Sequence, residues 1–399
     1  MKPIVFYIGN FDRPELNAAG KRVYGNALIF ENIGYRVILV GKSKETAHET
    51  IPAQYSKSIL FYSFPHCSLA NTSAFVEHIE KIVEREGKPD IVVRYGSPGL
   101  ALFDKTIIKY CKNLSCPIIA DVVDWLPSGG SNIVFNLVKS IDTYLEKAIY
   151  NKKSAGIIAI SSYLADFYKK HGCKNVIIIP PIVEHYIRST YRSSGKTVNI
   201  VYAGIPFRLG QKVSSAKKVK DRLDLAVEGL AGISDEEYSV LFDVYGITEE
   251  EYLTAYPEHR SLIIDNRERI VFHGKQPMMT IQDAVNKADL TILLRDVTRA
   301  TSAGFPTKIV ESLSCGTPVI TTNTSDLKKY IKHNRNGFFV NINDAKSLSI
   351  QLNEVISFYV NHRDEIKENC YQDQDFVPDR YESRLLEFLS GVRGANNDG

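Results

Sequence analysis

The sequence predicts an α/β protein built from two tandem Rossmann-like, doubly wound domains, and three observations carry that expectation. Short apolar runs of strand length recur along the chain with helix-sized segments between them, the rhythm of βαβ units around parallel sheets buried on both faces. The rhythm is interrupted once, by the polar stretch EHYIRSTYRSSGKT at 184–197, and then restarts. At 399 residues and 44% hydrophobic content the chain has enough apolar material for two cores of ordinary size.

In the first half the strands are read as IVFYIG (4–9), YRVILVG (35–41), DIVVRYG (90–96), PIIADVV (117–123), GIIAIS (156–161) and NVIIIPP (175–181). Helices are read between them, for example over 18–33 and 98–112. In the second half the strands are VNIVYAG (198–204), YSVLFDVYG (238–246), RIVFHG (269–274), DLTILLR (289–295), TPVITT (317–322) and GFFVN (337–341). The first domain is therefore set at 1–183 and the second at 184–375, with 376–399 as a tail. In that tail PDRYESRLLEFLSGV reads as a helix with Tyr381, Leu385, Leu386 and Leu389 on one side, an apolar face that must pack on something. Two doubly wound domains facing each other would bring the carboxyl ends of both sheets to one cleft, where ligands of open α/β sheets bind.

Composition removes several function classes. No apolar run approaches the roughly 20 residues of a membrane span, and Met1-Lys2-Pro3 leads straight into a strand pattern with no signal-peptide core; a cytoplasmic protein is expected. The six cysteines, at 67, 111, 116, 173, 315 and 370, form no CxxC pairs, and no HExxH occurs among the nine histidines. Neither a disulfide framework nor a metal site is indicated. Asp373, Gln374 and Asp375 spell a DxD but follow no nucleotide-binding strand, so the match is read as chance, and Gly9 lies in no GxGxxG. The first 190 residues hold 23 Lys and Arg against 17 Asp and Glu. This excess suits an anionic partner or a membrane surface, and solvated lysines explain it equally well; without a dense basic stripe, no nucleic-acid partner is expected.

Candidate site residues gather at the strand ends. DLTILLR ends at Arg295, the loop DVTRATSAGF follows, and a helix is read from Pro306, with Thr307 and Lys308 just inside it. Free amide groups, the helix dipole and a lysine make such an end an anion site. Glu311, one turn on, could accept hydrogen bonds from a diol, so a phosphate with a ribose is the economical ligand; an ordinary solvated Lys–Glu pair is the alternative. Asp121 and Asp124 follow a first-domain strand, where a carboxylate could orient a sugar or a hydroxyl, though Asp124 reads equally as a turn or helix-cap residue. His273 ends a strand beside Gly274 and is either a nucleobase neighbour or a core histidine.

The segment GFPTKIVESLSCGTPVI resembles the donor-binding segment of retaining glycosyltransferases of the GT-B architecture, glycosyltransferase family 4 in particular. Glu311 matches the second of two glutamates in that family's pattern, and Ala303 stands at the first, which in the family touches the transferred sugar. Gly20 resembles the glycine of the family's amino-terminal loop, with Lys21 and Arg22 adding positive charge. IVYAGIPFRLGQ and KKVKDRLDLAVEGL resemble the stretch in which an Arg and a Lys clamp the diphosphate; Lys220 fits the Lys and Arg208 the Arg, after a long loop. Gly204, Tyr245, Gly246, His273, Gly274, Arg295, Arg299, Phe305, Pro306, Thr307, Lys308 and Ile309 complete the donor set the resemblance implies, with Lys220, Lys308, Asp121 and Asp124 as catalytic candidates. It also implies a tail helix that crosses back onto the first domain.

The implied activity is transfer of a sugar, with retention, from a UDP- or GDP-sugar to a glycan or lipid-linked acceptor in surface polysaccharide or glycoconjugate synthesis. Lysine and arginine would neutralise the leaving phosphate, so no metal or other cofactor is expected. The acceptor would sit on the basic first domain, with peripheral contact to a membrane on the cytoplasmic face. Two alternatives stand beside it: a non-catalytic GT-B partner that binds a glycan, suggested by Ala303, and a nucleotide-sugar epimerase.

Overall fold

The computed structural model describes residues 2–43, 52–65, 72–96, 101–125, 141, 144–188, 195–215, 219–233 and 237–394. The chain divides into two compact units. The first comprises Met1–Glu184, Ala303–Phe305 and Phe376–Gly399, and the second His185–Ser302 and Pro306–Asp375.

The first unit is built on β1 (Ile4–Gly9), β2 (Arg36–Ser43), β3 (Ala53–Gln54), β4 (Ile59–Pro65), β5 (Ile91–Tyr95), β6 (Ile118–Val122), β7 (Gly156–Ala159) and β8 (Val176–Ile178). They form one eight-stranded sheet in the order β3-β4-β2-β1-β5-β6-β7-β8. Its pairs are parallel except that β3 runs antiparallel to β4. β1, β5, β6 and β7 are apolar at nearly every position because helices cover both faces. On one face the helix Ala18–Asn32 packs through Val23, Ala27, Ile29 and Phe30. On the other lie Phe75, Ile79 and Ile82 of Thr72–Glu86, with Ile107 and Cys111 of Ala101–Asn113.

The tail closes this unit. A short 3-10 turn, Pro378–Tyr381, leads into the helix Glu382–Gly394. Tyr381, Leu385, Phe388, Leu389 and Val392 enter the first unit's core. The apolar face expected from sequence needs one change: Leu386 is 50% exposed, because it lies about 100° round the helix from Leu385, and Phe388 and Val392 complete the face instead. A side chain at Gly156 would meet the Phe388 ring at 2.5 Å, so the tail rests directly on β7.

The second unit holds β9 (Thr197–Ala203), β10 (Ser239–Tyr245), β11 (Ile270–Gly274), β12 (Leu290–Leu293), β13 (Val319–Thr321) and β14 (Gly337–Phe339). Their order is β11-β10-β9-β12-β13-β14, all parallel. Strand order reverses between β9 and β12 here, and between β1 and β5 in the first sheet. Ligands of doubly wound folds bind outside the carboxyl ends of the strands at such switch points. Among the described residues no helix is long and apolar enough to cross a membrane.

Candidate functional site

The carboxyl ends of β9, β10 and β11 are finished by glycines that lie against one another. The Gly204 N–H donates to the Tyr245 carbonyl at 2.8 Å, and the Gly246 N–H to the Gly274 carbonyl at 2.8 Å. Gly246 has a φ of 110°, and a Cβ there would sit 2.5 Å from the Gly204 carbonyl oxygen. Gly204, at φ 152°, faces a side chain instead: its Cβ would lie 1.9 Å from the Nζ of Lys308. The end of β9 is thus kept bare so that a lysine can lie across it.

That lysine comes from the helix Thr307–Ser314, one residue later than expected, with Pro306 as its N-cap and no side chain capping its start. Ile309, Val310, Ser312 and Leu313 are buried, whereas Thr307, Lys308 and Glu311 are partly exposed, so the helix turns its polar residues outward. Lys308, with 30% of its side chain exposed, donates to Asp221 Oδ2 at 2.9 Å and to the Tyr202 hydroxyl at 3.3 Å. Asp221, only 1% exposed, also accepts from the Tyr202 hydroxyl at 2.8 Å and from Arg295 Nε at 2.7 Å. Burial alone would raise the Asp221 carboxyl, but Lys308 and Arg295 outweigh it and hold it well below the usual carboxylate range. Burial also lowers the Lys308 ammonium below its ordinary value; Asp221 pulls it back up, and Arg295 and Lys220 push it down. Burial first, and then the Asp221 charge, keeps the Tyr202 phenol protonated.

The remaining second-unit candidates fall into two groups. Lys220, Arg208 and Arg299 are exposed, the first with its backbone N–H on the Pro206 carbonyl at 2.9 Å. His273 Nε2 pairs with Asp243 Oδ1 at 2.6 Å, and its ring stacks on Tyr245 with centroids 4.4 Å apart. Three of the candidates, Arg295, Ile309 and Phe305, are largely buried. Arg295 is 7% exposed, and its Nε donates to Asp221, so that edge of the guanidinium braces the carboxylate. Ile309 is 1% and Phe305 7% exposed, so their side chains serve packing, the latter edge-on to Phe376. Ala303 is fully buried, with its carbonyl accepting from the Ser161 hydroxyl.

In the first unit Asp121 and Arg22 also turn inward. They pair at 2.9 Å with 0% and 2% of their side chains exposed. The Arg22 guanidinium donates further to the carbonyls of Ile179 and Pro180 at 2.5 and 2.7 Å, and the Tyr7 hydroxyl and Asn26 Nδ2 donate to Asp121. A residue expected to meet phosphate and one expected to meet an acceptor therefore satisfy each other inside the unit, since neither charge could be buried alone. Gly20 opens the helix Ala18–Asn32 with its N–H on Asn17 Oδ1 at 2.9 Å; a Cβ there would meet the carbonyls of Asp12 and Arg13 at 2.4 Å, so it lets the preceding loop lie on the helix. Asp124 is the exposed one of these four candidates. It adjoins Trp125, whose ring carries the Lys147 ammonium at 3.7 Å.

Asp221 and Tyr202 were not anticipated. Their sequence signals are an acid set in the basic run KKVKDR and a lone hydroxyl in the apolar strand NIVYA. Asp373 of the DxD pairs with Arg335 at 3.2 Å. Among the described residues no group of three or more His, Cys, Asp or Glu is placed to hold a metal ion.

The model of the family described as Glycosyl transferases group 1 matches residues 213–373, a span that includes Lys220, Asp221, Arg295, Lys308 and Glu311. No curated protein matches the chain. Solved structures that resemble it over nearly its whole length include sucrose-phosphate synthase from Thermosynechococcus elongatus, with a TM-score of 0.68 at 12% identity over 99% of this chain and 100% of that one. Anabaena HepE, in complex with UDP-glucose, gives 0.60 at 16% identity over 98% and 100% of the two chains. A mutant of S. aureus TarM, in complex with fondaparinux, alpha-GlcNAc-glycerol and UDP, gives 0.64 at 10% identity over 97% and 99%.

Proposed function

We propose, from the premise that the chain is a glycosyltransferase of GT-B fold carrying a glycosyl transferases group 1 domain, that it moves a sugar with retention from a UDP- or GDP-sugar to a glycan or lipid-linked acceptor. The observation that carries this reading is Lys308, held across the bare end of β9 at an uncapped helix start. Negative charge grows on the β-phosphate as the sugar leaves, and fixed donors aimed at it lower the barrier more than they tighten ground-state binding. Lys308 and the amides at the start of its helix are those donors. Lys220 and Arg208, exposed on the loop after β9, close on the diphosphate from the other side. Glu311, one turn beyond Lys308, accepts the ribose hydroxyls. The acceptor oxygen attacks the anomeric carbon, the bond to phosphate breaks, and the proton passes to the departing phosphate oxygen, so the chemistry asks for no metal.

The acceptor reading rests on the first unit, where Asp124 is exposed, and on the excess of basic residues before residue 190. That charge suits an anionic glycan or a peripheral approach to a membrane on the cytoplasmic face, as surface polysaccharide synthesis would require. A uridine nucleotide is favoured among donors because HepE was solved with UDP-glucose and TarM with UDP.

The reading is tested with a panel of UDP-, GDP- and dTDP-sugars, measuring binding and slow hydrolysis. One donor should bind and hydrolyse; epimerisation without hydrolysis or transfer, or no binding at all, would overturn it. Glu311→Gln should weaken UDP about tenfold and remove the preference for UDP over 2′-deoxy-UDP, seen by calorimetry, because one charge-assisted hydrogen bond contributes about 1.5–3 kcal/mol. Gly204→Ala should lower turnover at least tenfold, since its methyl group takes the place of the ammonium. The cost in stability should be only about 1–3 kcal/mol in a urea melt, because a lysine tip can swing aside and backbone strain is the main penalty. Unchanged turnover in this variant would mean that Lys308 works from another position.

A further inference from the structure

We infer that Asp221 is the positioning residue of this site: it keeps the Lys308 amine protonated and fixed over the end of β9, and so sets the pH range in which the site accepts a nucleoside diphosphate. The inference rests on the donor-site reading above and adds a residue that neither the sequence pattern nor the family resemblance assigns.

Asp221 lies just before the helix Leu223–Ala231 and is reached by three donors from three other parts of the unit. Tyr202 comes from β9, Arg295 from beyond β12, and Lys308 from its own helix. The carboxylate is thus divided: Oδ1 takes Arg295, while Oδ2 takes Tyr202 and Lys308. An ammonium has three N–H bonds. Here one goes to Asp221 and one to the Tyr202 hydroxyl, and the third is left on a side chain that still reaches solvent. A donor with two hydrogens spent on a buried frame and one unspent is aimed, which is the geometry a phosphate oxygen requires.

The charges around Lys308 make the same point. It is faced by Arg295 and Lys220 as well as by Asp221, with the phenol of Tyr202 beside it and Glu311 one turn along its own helix. Two of these groups are cations that oppose protonation of a third in a largely enclosed place. Asp221 is the buried anion that offsets part of this opposition, and it is itself held ionised by the groups it serves.

The test reads the lysine directly. Competitive acetylation of the full-length protein across a pH series, quantified by mass spectrometry at Lys308, gives the midpoint of its ionisation without any nucleotide. In Asp221→Asn that midpoint should fall by about one pH unit or more, since a lost ion pair in a desolvated site is worth at least that much. Calorimetry should then show UDP bound about tenfold more weakly at pH 9 than at pH 6 by Asp221→Asn, with little such change in the wild type. Adding Lys308→Arg should flatten the profile again, because a guanidinium does not lose its proton. If Asp221→Asn proves unstable, the comparison is made between Arg295→Gln and Arg295→Gln with Asp221→Asn, where the double variant should again have the lower midpoint. An unchanged Lys308 midpoint, or UDP affinity reduced by the same factor at both pH values, would overturn the inference. A shifted midpoint in a protein that binds no nucleoside diphosphate would uphold the charge-holding role and remove the donor-site reading.

Discussion

Lys308→Ala is expected to slow sugar transfer by about 10²–10³-fold, the usual consequence of removing one fixed donor from developing oxyanion charge. The loss should fall on kcat more than on the dissociation constant for UDP, because the interaction strengthens as the phosphate departs. Folding should be little affected. Asp221 would keep Arg295 and the Tyr202 hydroxyl as partners, and the lysine side chain is 30% exposed, so no buried group is orphaned. Donor turnover, UDP calorimetry and a thermal melt together check the expectation. A variant with kcat within about threefold of wild type would show that the charge is neutralised elsewhere, since a group that stabilises the transition state cannot be removed so cheaply.

The second large effect concerns stability. Asp121→Ala should destabilise the protein by about 3–5 kcal/mol, the cost of leaving one partner of a buried ion pair without its counter-charge. The Arg22 guanidinium would stay 2% exposed, with only the carbonyls of Ile179 and Pro180 to meet it. Nothing in the Asp221 frame of the second unit would change, so UDP affinity of the folded fraction should equal that of the wild type. Urea denaturation and calorimetry separate the two roles open to this aspartate. If transfer is lost while the urea midpoint stays put, Asp121 acts in chemistry and the buried pair is incidental.

The fold was legible because its signals are local. A strand buried on both faces must be apolar along its length, and each of the twelve strands expected coincides with one in the structure, carried by runs such as VIL in β2 or IIA in β7. β4 was missed although ILFYSFP is as apolar as its neighbours, and it pairs with β2 along its whole length. Its run is aromatic rather than β-branched, and no helix pattern precedes it to mark the βαβ rhythm. Ends were less exact for a similar reason: Pro306 is compatible with the cap and with the first turn, and only the backbone angles decide between them. Side-chain partners were not legible at all. Arg22 and Asp121 stand 99 positions apart, and Lys308 and Asp221 stand 87 apart. Nothing in periodicity or spacing says that a charge will meet another charge rather than a ligand. The sequence could mark where charges collect, at strand ends and helix starts, but which of them face outward is settled by packing between segments remote in the chain.

The tail helix has a consequence for how this protein is made. Tyr381, Leu385, Phe388, Leu389 and Val392 belong to the core of a unit whose strands all lie before residue 185. Those residues leave the ribosome only after the second unit has been translated, so the first unit cannot complete its core in the usual amino-terminal-first order. The later-synthesised unit can complete itself while the earlier one waits with an open flank at Gly156 and β7. During that interval a nascent chain shows apolar surface that it will afterwards hide, and it is then that a chaperone would have the most to hold.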